Sequence, residues 1–370
     1  MLRLIAVENY RSLRDLVVEL GDLTVVTGPN GSGKSNLYRA LRLLASIVRD
    51  GALRTLAAEG GLRSALYAGE RRGQEPVALR LGFAADELSY AIDLGMPQPG
   101  VSPFPLDPEV KGETVWFGET LRPSTIAADR RSLRVRLRAA DGDLAIAPWK
   151  PQPTESMLAT LADPDTAPEL YAMRERARGW RFFDALRVDP DAPARRPAPV
   201  TYTPVLDGDG GGLPGALATV LRVGDAEALQ RAVSRAFDGA RATVLEDDRG
   251  IGVVALQQTS VKRPFDASEL SDGTLRFLLL ATALLSPRPP GLLVLNEPEA
   301  SLHPSVLPAL ADLVTRAAES TQVVVISHAA PLVDALSGSA VRIELERAGA
   351  ATTIPGRLRF DGPRWSWPSR

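Results

Sequence analysis

The chain has 370 residues, enough for two domains or for one domain carrying a large insertion. Hydrophobic residues make up 45% and charged residues 24%, which excludes wholesale disorder, and a net charge of -2 excludes a bulk polycation, so any nucleic-acid contact needs a local patch. Cysteine is absent, which excludes disulfides, thiolate catalysis and cysteine-ligated zinc.

The opening, MLRLIAVENYRSLRDLVVEL, carries charges throughout and does not read as a signal peptide. Leu2–Val7 is an apolar-rich strand, Leu16–Leu20 is a second candidate, and the β-branched run Leu23–Thr27 suits a buried strand. GPNGSGKS follows at Gly28–Ser35, and Leu37, Leu41, Leu44 and Ile47 then recur at helical spacing. Two strand-like runs between Val77 and Gly95, separated by Ala84–Glu87, predict an antiparallel hairpin. Val101–Pro108 is proline-rich and predicts a loop, and Arg131–Pro148 predicts a second hairpin turning at Asp141–Asp143. Thr154–Ala177 reads as helix and Asp189–Thr203 as a proline-rich crossing segment. Leu213–Arg222 and Asp225–Phe237 read as two helices, and Ala242–Gln258 as two strands.

The last third alternates. Helices at Thr274–Leu285, Val306–Ala318 and Pro331–Leu336 are interleaved with strands at Leu292–Leu295, Gln322–Ile326 and Val341–Leu345. That rhythm predicts a parallel sheet. The longest apolar stretch, Phe277–Leu285, is far short of the roughly 20 residues needed to span a bilayer, so the expected compartment is the cytoplasm, with no membrane partner.

Gly28-Pro29-Asn30-Gly31-Ser32-Gly33-Lys34-Ser35 fits GxxxxGK[ST] between a predicted strand and a predicted helix, and Asn36 continues it. Glycines let the backbone fold around phosphate oxygens, the loop amides and helix start supply positive potential, Lys34 suits the β- and γ-phosphates of ATP, and Ser35 suits Mg²⁺. A chance glycine-rich turn would leave unexplained why the single lysine of the first 110 residues falls at this position. Leu292–Leu295 followed by Asn296-Glu297-Pro298-Glu299 has the form of a Walker B strand, with Glu297 placed as general base at the strand's carboxyl end; the competing reading is a capping Asn-Glu pair after a core strand.

His328 ends the strand VVVISH, where a switch histidine would meet a γ-phosphate. His303, in Ser301-Leu302-His303-Pro304, suits a structural role or a helix start. Ser271, Asp272 and Gly273, in Glu269-Leu270-Ser271-Asp272-Gly273-Thr274, open a helix, either as a plain cap or as an anion site. Arg130, Arg131, Arg134, Arg136 and Arg138 are a candidate DNA patch or a solvated strand face.

With the P-loop, LSDG, NEPE and SH in that order, the chain resembles ATPases of the ABC class and, more closely, the chromosome-maintenance (SMC) and RecF-type group. Glu8-Asn9-Tyr10-Arg11-Ser12-Leu13 followed by TGPNGSGKSNL is similar to that group's start. LNEPEASLHP is similar to the bacterial "AAA-type predicted ATPase" proteins that lack a long coiled coil, some of which serve in anti-phage systems. The motif likeness covers residues 1–40 and 265–335.

The resemblance implies an α/β P-loop NTPase fold, ABC/SMC-head-like, with a mixed sheet, an antiparallel β subdomain and a helical and β lid insertion. The division expected is an N-terminal ATPase lobe at 1–100, a lid or insert at 101–240, and a C-terminal lobe at 241–370. It further implies ATP and Mg²⁺ as cofactors and a head-to-head homodimer sandwiching ATP, with Ser271, Asp272 and Gly273 reaching the nucleotide of the partner subunit. A Q-loop glutamine, with Gln74 as candidate, and a phosphate contact from Arg11 also come from the resemblance. The chain departs from the group at Asn296, where aspartate is usual, so weaker Mg²⁺ binding and slow turnover are expected. Two roles follow: an ATPase in DNA repair, DNA maintenance or anti-phage defence, or a slow nucleotide-sensing switch controlling a separate effector protein. A transporter ATPase subunit fits the SMC-like start and the LHP segment poorly.

Overall fold

The computed structural model describes residues 1–70, 78–100, 102–139, 141–184, 186–356 and 363–369. They form two compact units: 1–21, 28–180 and 343–370 make one, 22–27 and 181–342 the other.

The first unit is built on an eight-stranded antiparallel sheet. Its spatial order is Leu13–Glu19, Leu2–Tyr10, Ala78–Ala85, Leu88–Gly95, Glu109–Phe117, Ile126–Arg131, Arg134–Arg138 and Leu144–Ile146. Ala78–Ala85 and Leu88–Gly95 are buried along almost their whole length, so the middle of the sheet is covered on both faces and does not alternate in polarity. The helix Lys34–Asp50 packs on the sheet through Leu37, Leu41, Leu44 and Ile47, the helical stripe seen in the sequence. It stops at Gly51 (φ 87), a conformation that favours glycine. The closing segment 363–369 lies on the same sheet. Trp365 sits against Trp116, with centroids 5.7 Å apart, and over Gly82, where a β-carbon would come within 2.6 Å of its ring.

The second unit carries a parallel sheet ordered Arg181–Phe183, Leu292–Asn296, Gln322–Ile326 and Leu23–Thr27, with Val341–Glu344 at the edge. Its own core joins Leu23 and Val25 to Leu293, Leu295, Val323 and Val325 of that sheet and to Leu217, Leu278, Leu310 and Leu332 of the helices. The strands are continuous apolar runs because both their faces are buried.

Two expectations differ from the structure, and two strands were not anticipated. The boundaries at 100 and 240 do not coincide with those of the units: Glu109–Phe117 pairs directly with Leu88–Gly95, so residues 102–180 extend the first unit's sheet instead of forming a separate insert. The strands Glu109–Phe117 and Ile126–Arg131 were not legible, because charged residues interrupt them. Thr154–Ala177 is two helices, Met157–Thr160 and Pro168–Arg178. Pro164 cannot donate a helical bond, Asp163 turns the chain by accepting from Thr166 N (2.8 Å), and Pro168 starts the second helix.

Candidate nucleotide-binding site

Three neighbouring parallel strands of the second unit end together. Asn296 is in register with Ile326, and Ile326 with Val26. Beyond these row-mates come Thr27 and the P-loop, Glu297, and Ser327-His328. The motifs separated in sequence thus start from one edge of one sheet, at the strands' carboxyl ends, where open α/β sheets hold ligands.

The P-loop is shaped by close approaches inside the first unit. Gly33 (φ 106) precedes the helix, and a β-carbon there would lie 2.0 Å from Thr352 Oγ1; one on Gly28 (φ 144) would lie 2.1 Å from Leu345 O. Only glycine fits either place. Lys34 Nζ donates to Gly28 O (2.6 Å) and Pro29 O (3.0 Å), which folds the ammonium over the loop. Pro29, Asn30 and Gly31 are exposed at the rim, as is Ser35 at the helix start, whereas Ser32 Oγ is buried with no partner among the described residues. Asn36 Nδ2 donates to Ser12 Oγ (2.8 Å), which pairs with Thr352 Oγ1 (2.7 Å), so Asn36 braces the loop from behind.

Glu297 has φ 49, in the left-handed region that costs a non-glycine residue about 1–2 kcal/mol. Two bonds hold its backbone there: its N–H donates to Ile326 O (2.8 Å), and its carbonyl accepts from Arg276 Nη2 (3.0 Å). Burial pushes the Arg276 guanidinium down, while Glu299 and Glu297 pull it back up. The Glu297 side chain stays 43% exposed, open to a reactant. His328 Nδ1 lies 3.9 Å from Glu297 Oε1 and 3.3 Å from Glu299 Oε1. Asn296 Oδ1 is buried with no partner among the described residues, and this carbonyl oxygen can accept from a metal-bound water.

Among the described residues no group of three or more histidine, aspartate or glutamate side chains could hold a metal ion by itself. Mg²⁺ bound with a nucleotide takes one or two protein oxygens and the rest from phosphates and water. The Ser35 hydroxyl and Asn296 carbonyl are oxygen donors of the required kind.

Ser271 caps the helix Asp272–Leu284 by accepting from Thr274 N (3.2 Å). Gly273 passes so close to Ser301 O that a β-carbon would lie 2.6 Å from it. Asp272 pairs with Arg195 Nη2 (2.7 Å), and Arg195 Nη1 also holds Ala267 O (2.6 Å) and Leu270 O (2.8 Å). Arg263 pairs with Glu269 through two 2.7 Å bonds and draws its carboxyl down to about 2. The segment before the helix is therefore braced at both ends.

Several expected residues are placed otherwise. The arginine patch does not stand as five free cations. Arg130 is fully buried, donating to Ser132 O (2.7 Å), Gln152 O (2.9 Å) and Glu155 O. Arg131 and Arg136 both pair with buried Asp129, and Arg138 is held by Ile126 O (2.7 Å), Gly142 O (2.6 Å) and Ser124 O (2.9 Å). Arg134 is exposed. Arg11 pairs with Glu59 and donates to Tyr10 Oη (3.2 Å). His303 caps the turn Pro304–Val306 by accepting from Ser305 N (3.2 Å), the structural role. Gln74 lies outside the described residues.

Sequence reasoning missed Arg276, Glu299 and Arg195. Arg276 had a signal, a lone charge inside the apolar run Leu275–Leu285, because a buried charge needs partners. Glu299 had a weaker one, a second carboxylate two residues past the candidate base. Arg195 had none, since its partners lie far away in sequence.

The chain is similar to known proteins in sequence and in fold. A family described as "AAA domain, putative AbiEii toxin, Type IV TA system" matches residues 23–142 and 144–334. The OLD nuclease of Thermus scotoductus is 46% identical over 44 residues, which are 12% of this chain. The chain spans only 8% of that curated relative's length. An SMC head bound to the C-winged helix domain of ScpA has a TM-score of 0.54 at 13% identity, covering 95% of this chain and 96% of that one. An SMC head with an extended coiled coil, bound to the C-terminal domain of ScpA and derived from Pyrococcus furiosus, has a TM-score of 0.51 at 12% identity, covering 95% of each chain. These solved structures share the fold. With most of its length matched, the chain belongs to this AAA domain family, and its fold is that of SMC heads.

Proposed function

We propose that this chain binds and hydrolyses ATP, closes as an ATP-sandwiched head-to-head homodimer, and acts in DNA repair, DNA maintenance or anti-phage defence. The observation that carries the reading is the common ending of three register-matched strands in the P-loop, in Asn296-Glu297 and in Ser327-His328. In this reading residues 28–36 hold ATP, with Lys34 countering the β- and γ-phosphate charge. Ser35 directly, and Asn296 through water, hold Mg²⁺, which when bound supplies charge neutralisation at the phosphates. Glu297 takes a proton from the attacking water, and its strained, doubly anchored backbone fixes where its carboxylate stands. His328 contacts the γ-phosphate. Ser271, Asp272 and Gly273 meet the nucleotide of the partner subunit, and only contacts the open form lacks let ATP favour closure. The family description and the OLD nuclease likeness favour defence; DNA contact in this reading falls to Arg134, the exposed member of its set.

A second reading is supported by Asn296. Without the aspartate charge, turnover is slow and the protein works as an ATP-gated switch for a separate effector. Size measurement with and without ATP and Mg²⁺ tests both readings. Glu297→Gln should dimerise with ATP and stay dimeric, and Lys34→Ala should stay monomeric. A monomer under all conditions would sink the sandwich.

A further inference from the structure

Glu299 plays no part in the mechanism just given, yet its carboxylate accepts three hydrogen bonds near the strand ends. It follows Glu297 by two residues, its side chain is 7% exposed, and it faces the segment after the strand Gln322–Ile326. Its Oε1 accepts from Ser327 Oγ (2.7 Å), His328 N (3.0 Å) and Ala329 N (3.3 Å), and lies 3.3 Å from His328 Nδ1. Its Oε2 is buried with no partner among the described residues. One carboxylate thus ties the end of one parallel strand to the segment leaving its neighbour and stands against one nitrogen of the exposed imidazole.

A half-exposed histidine held only by its backbone turns freely and prefers a proton on Nε2. A buried carboxylate beside Nδ1 reverses that preference, because it accepts a proton there and repels a lone pair. The three bonds already made to Oε1 fix that oxygen and make it a rigid reference for the ring. The spare acceptor Oε2 sits on the same carboxyl group. Glu297 Oε1 is the other carboxylate oxygen near Nδ1, at 3.9 Å, and Arg276 is the buried cation in the field of both carboxylates.

We propose that Glu299 is the positioning residue of His328: it holds the neutral imidazole as the Nδ1–H tautomer and turns Nε2 outward, toward the bound phosphates. The functional half of this rests on the ATP reading above; the tautomer does not. The carboxylate–histidine pair then works as a unit, with Glu299 setting orientation and His328 making the contact. Loss of such an orienting partner typically costs about 10-fold or more.

The chain has two histidines, which makes the tautomer directly measurable. In protein labelled with ¹⁵N-histidine, His303→Asn leaves one imidazole, that of His328. The wild-type spectrum at high pH should show Nδ1 protonated and Nε2 bare. Glu299→Ala should reverse the assignment, and Glu299→Gln, which keeps an acceptor oxygen, should retain it. Turnover should fall about 10-fold in Glu299→Ala with KM for ATP unchanged, and recover in Glu299→Gln. An Nε2–H imidazole in the wild type, or the same tautomer in Glu299→Ala, would overturn the assignment. Should Glu299→Ala fail to fold, loss of the Nδ1–H tautomer in Glu299→Gln would also overturn it, since an acceptor oxygen at this position would then not be what sets the ring. A protein with no turnover at all contradicts the hydrolysis reading, and the imidazole spectrum still decides the tautomer.

Discussion

In the proposed reading, Asn296 sets how tightly Mg²⁺ is held. Its Oδ1 is buried with no partner among the described residues, which costs stability unless a donor reaches it, and it brings no charge to a divalent cation. Asn296→Asp restores that charge with almost no change in shape. We expect the Mg²⁺ concentration for half-maximal turnover to fall about 10-fold, equivalent to about 1.4 kcal/mol. Titrating Mg²⁺ against ATP turnover measures this, and an unchanged midpoint would remove Asn296 from the metal site. The same substitution places a new carboxylate beside Glu297 and Glu299, with buried Arg276 as the compensating charge. The strain at Glu297 and the spare oxygen at Asn296 are local costs at a candidate site, which is where proteins retain them.

At the scale of elements, the loop between Leu23–Thr27 and the helix Lys34–Asp50 distinguishes its glycines. Gly33→Ala drives a β-carbon into Thr352 and Ser12 at φ 106, so nucleotide affinity and thermal stability should both fall, the affinity by more than about 10-fold. Gly31→Ala, at φ 79 with nothing within 4 Å, should cost about 1 kcal/mol and leave binding nearly intact. Fluorescent-nucleotide titration of the two variants separates steric from conformational demand, and equal losses would contradict this account.

These elements also show what was legible in the sequence. The strand-loop-helix order, the stripe Leu37–Leu41–Leu44–Ile47 and the β/α rhythm from Thr274 onward were readable because local period and turn chemistry agree with the fold. Glu109–Phe117 and Ile126–Arg131 were not, because Glu113, Asp129 and Arg130 are buried there, and their partners cannot be seen from the strand itself. The P-loop glycines announced themselves, whereas Thr352 and Leu345, which make two of them obligatory, lie at the far end of the chain. The arginine pattern was visible and misleading, since spacing gives the face of a strand but not the carbonyls and the aspartate that occupy its guanidiniums.

At the scale of the whole molecule, each unit rests on its own core, and the first adds a buried polar knot. Glu113, Tyr90, Arg130 and Ser156 are all fully buried. Tyr90 Oη donates to Glu113 Oε1 (2.6 Å), Met157 N donates to Oε2 (2.7 Å), and Arg130 Nη1 stands 3.6 Å from the same carboxylate. Burial and the Glu113 charge push the Tyr90 hydroxyl well above its usual range. Glu113→Ala strands the Arg130 charge and should cost about 3–5 kcal/mol, whereas Tyr90→Phe should cost about 1–2 kcal/mol. Urea denaturation midpoints read the difference, and near-equal effects would show that the charge pair is not what matters.

The central claim, that this assembly of motifs turns over ATP through Glu297, is tested most directly by one assay. ATP turnover with Mg²⁺ is measured for the wild type and Glu297→Gln, each with and without duplex DNA, alongside nucleotide binding. Turnover is expected in the wild type, raised by DNA, and none in Glu297→Gln despite retained ATP binding. Turnover in Glu297→Gln equal to the wild type would contradict it.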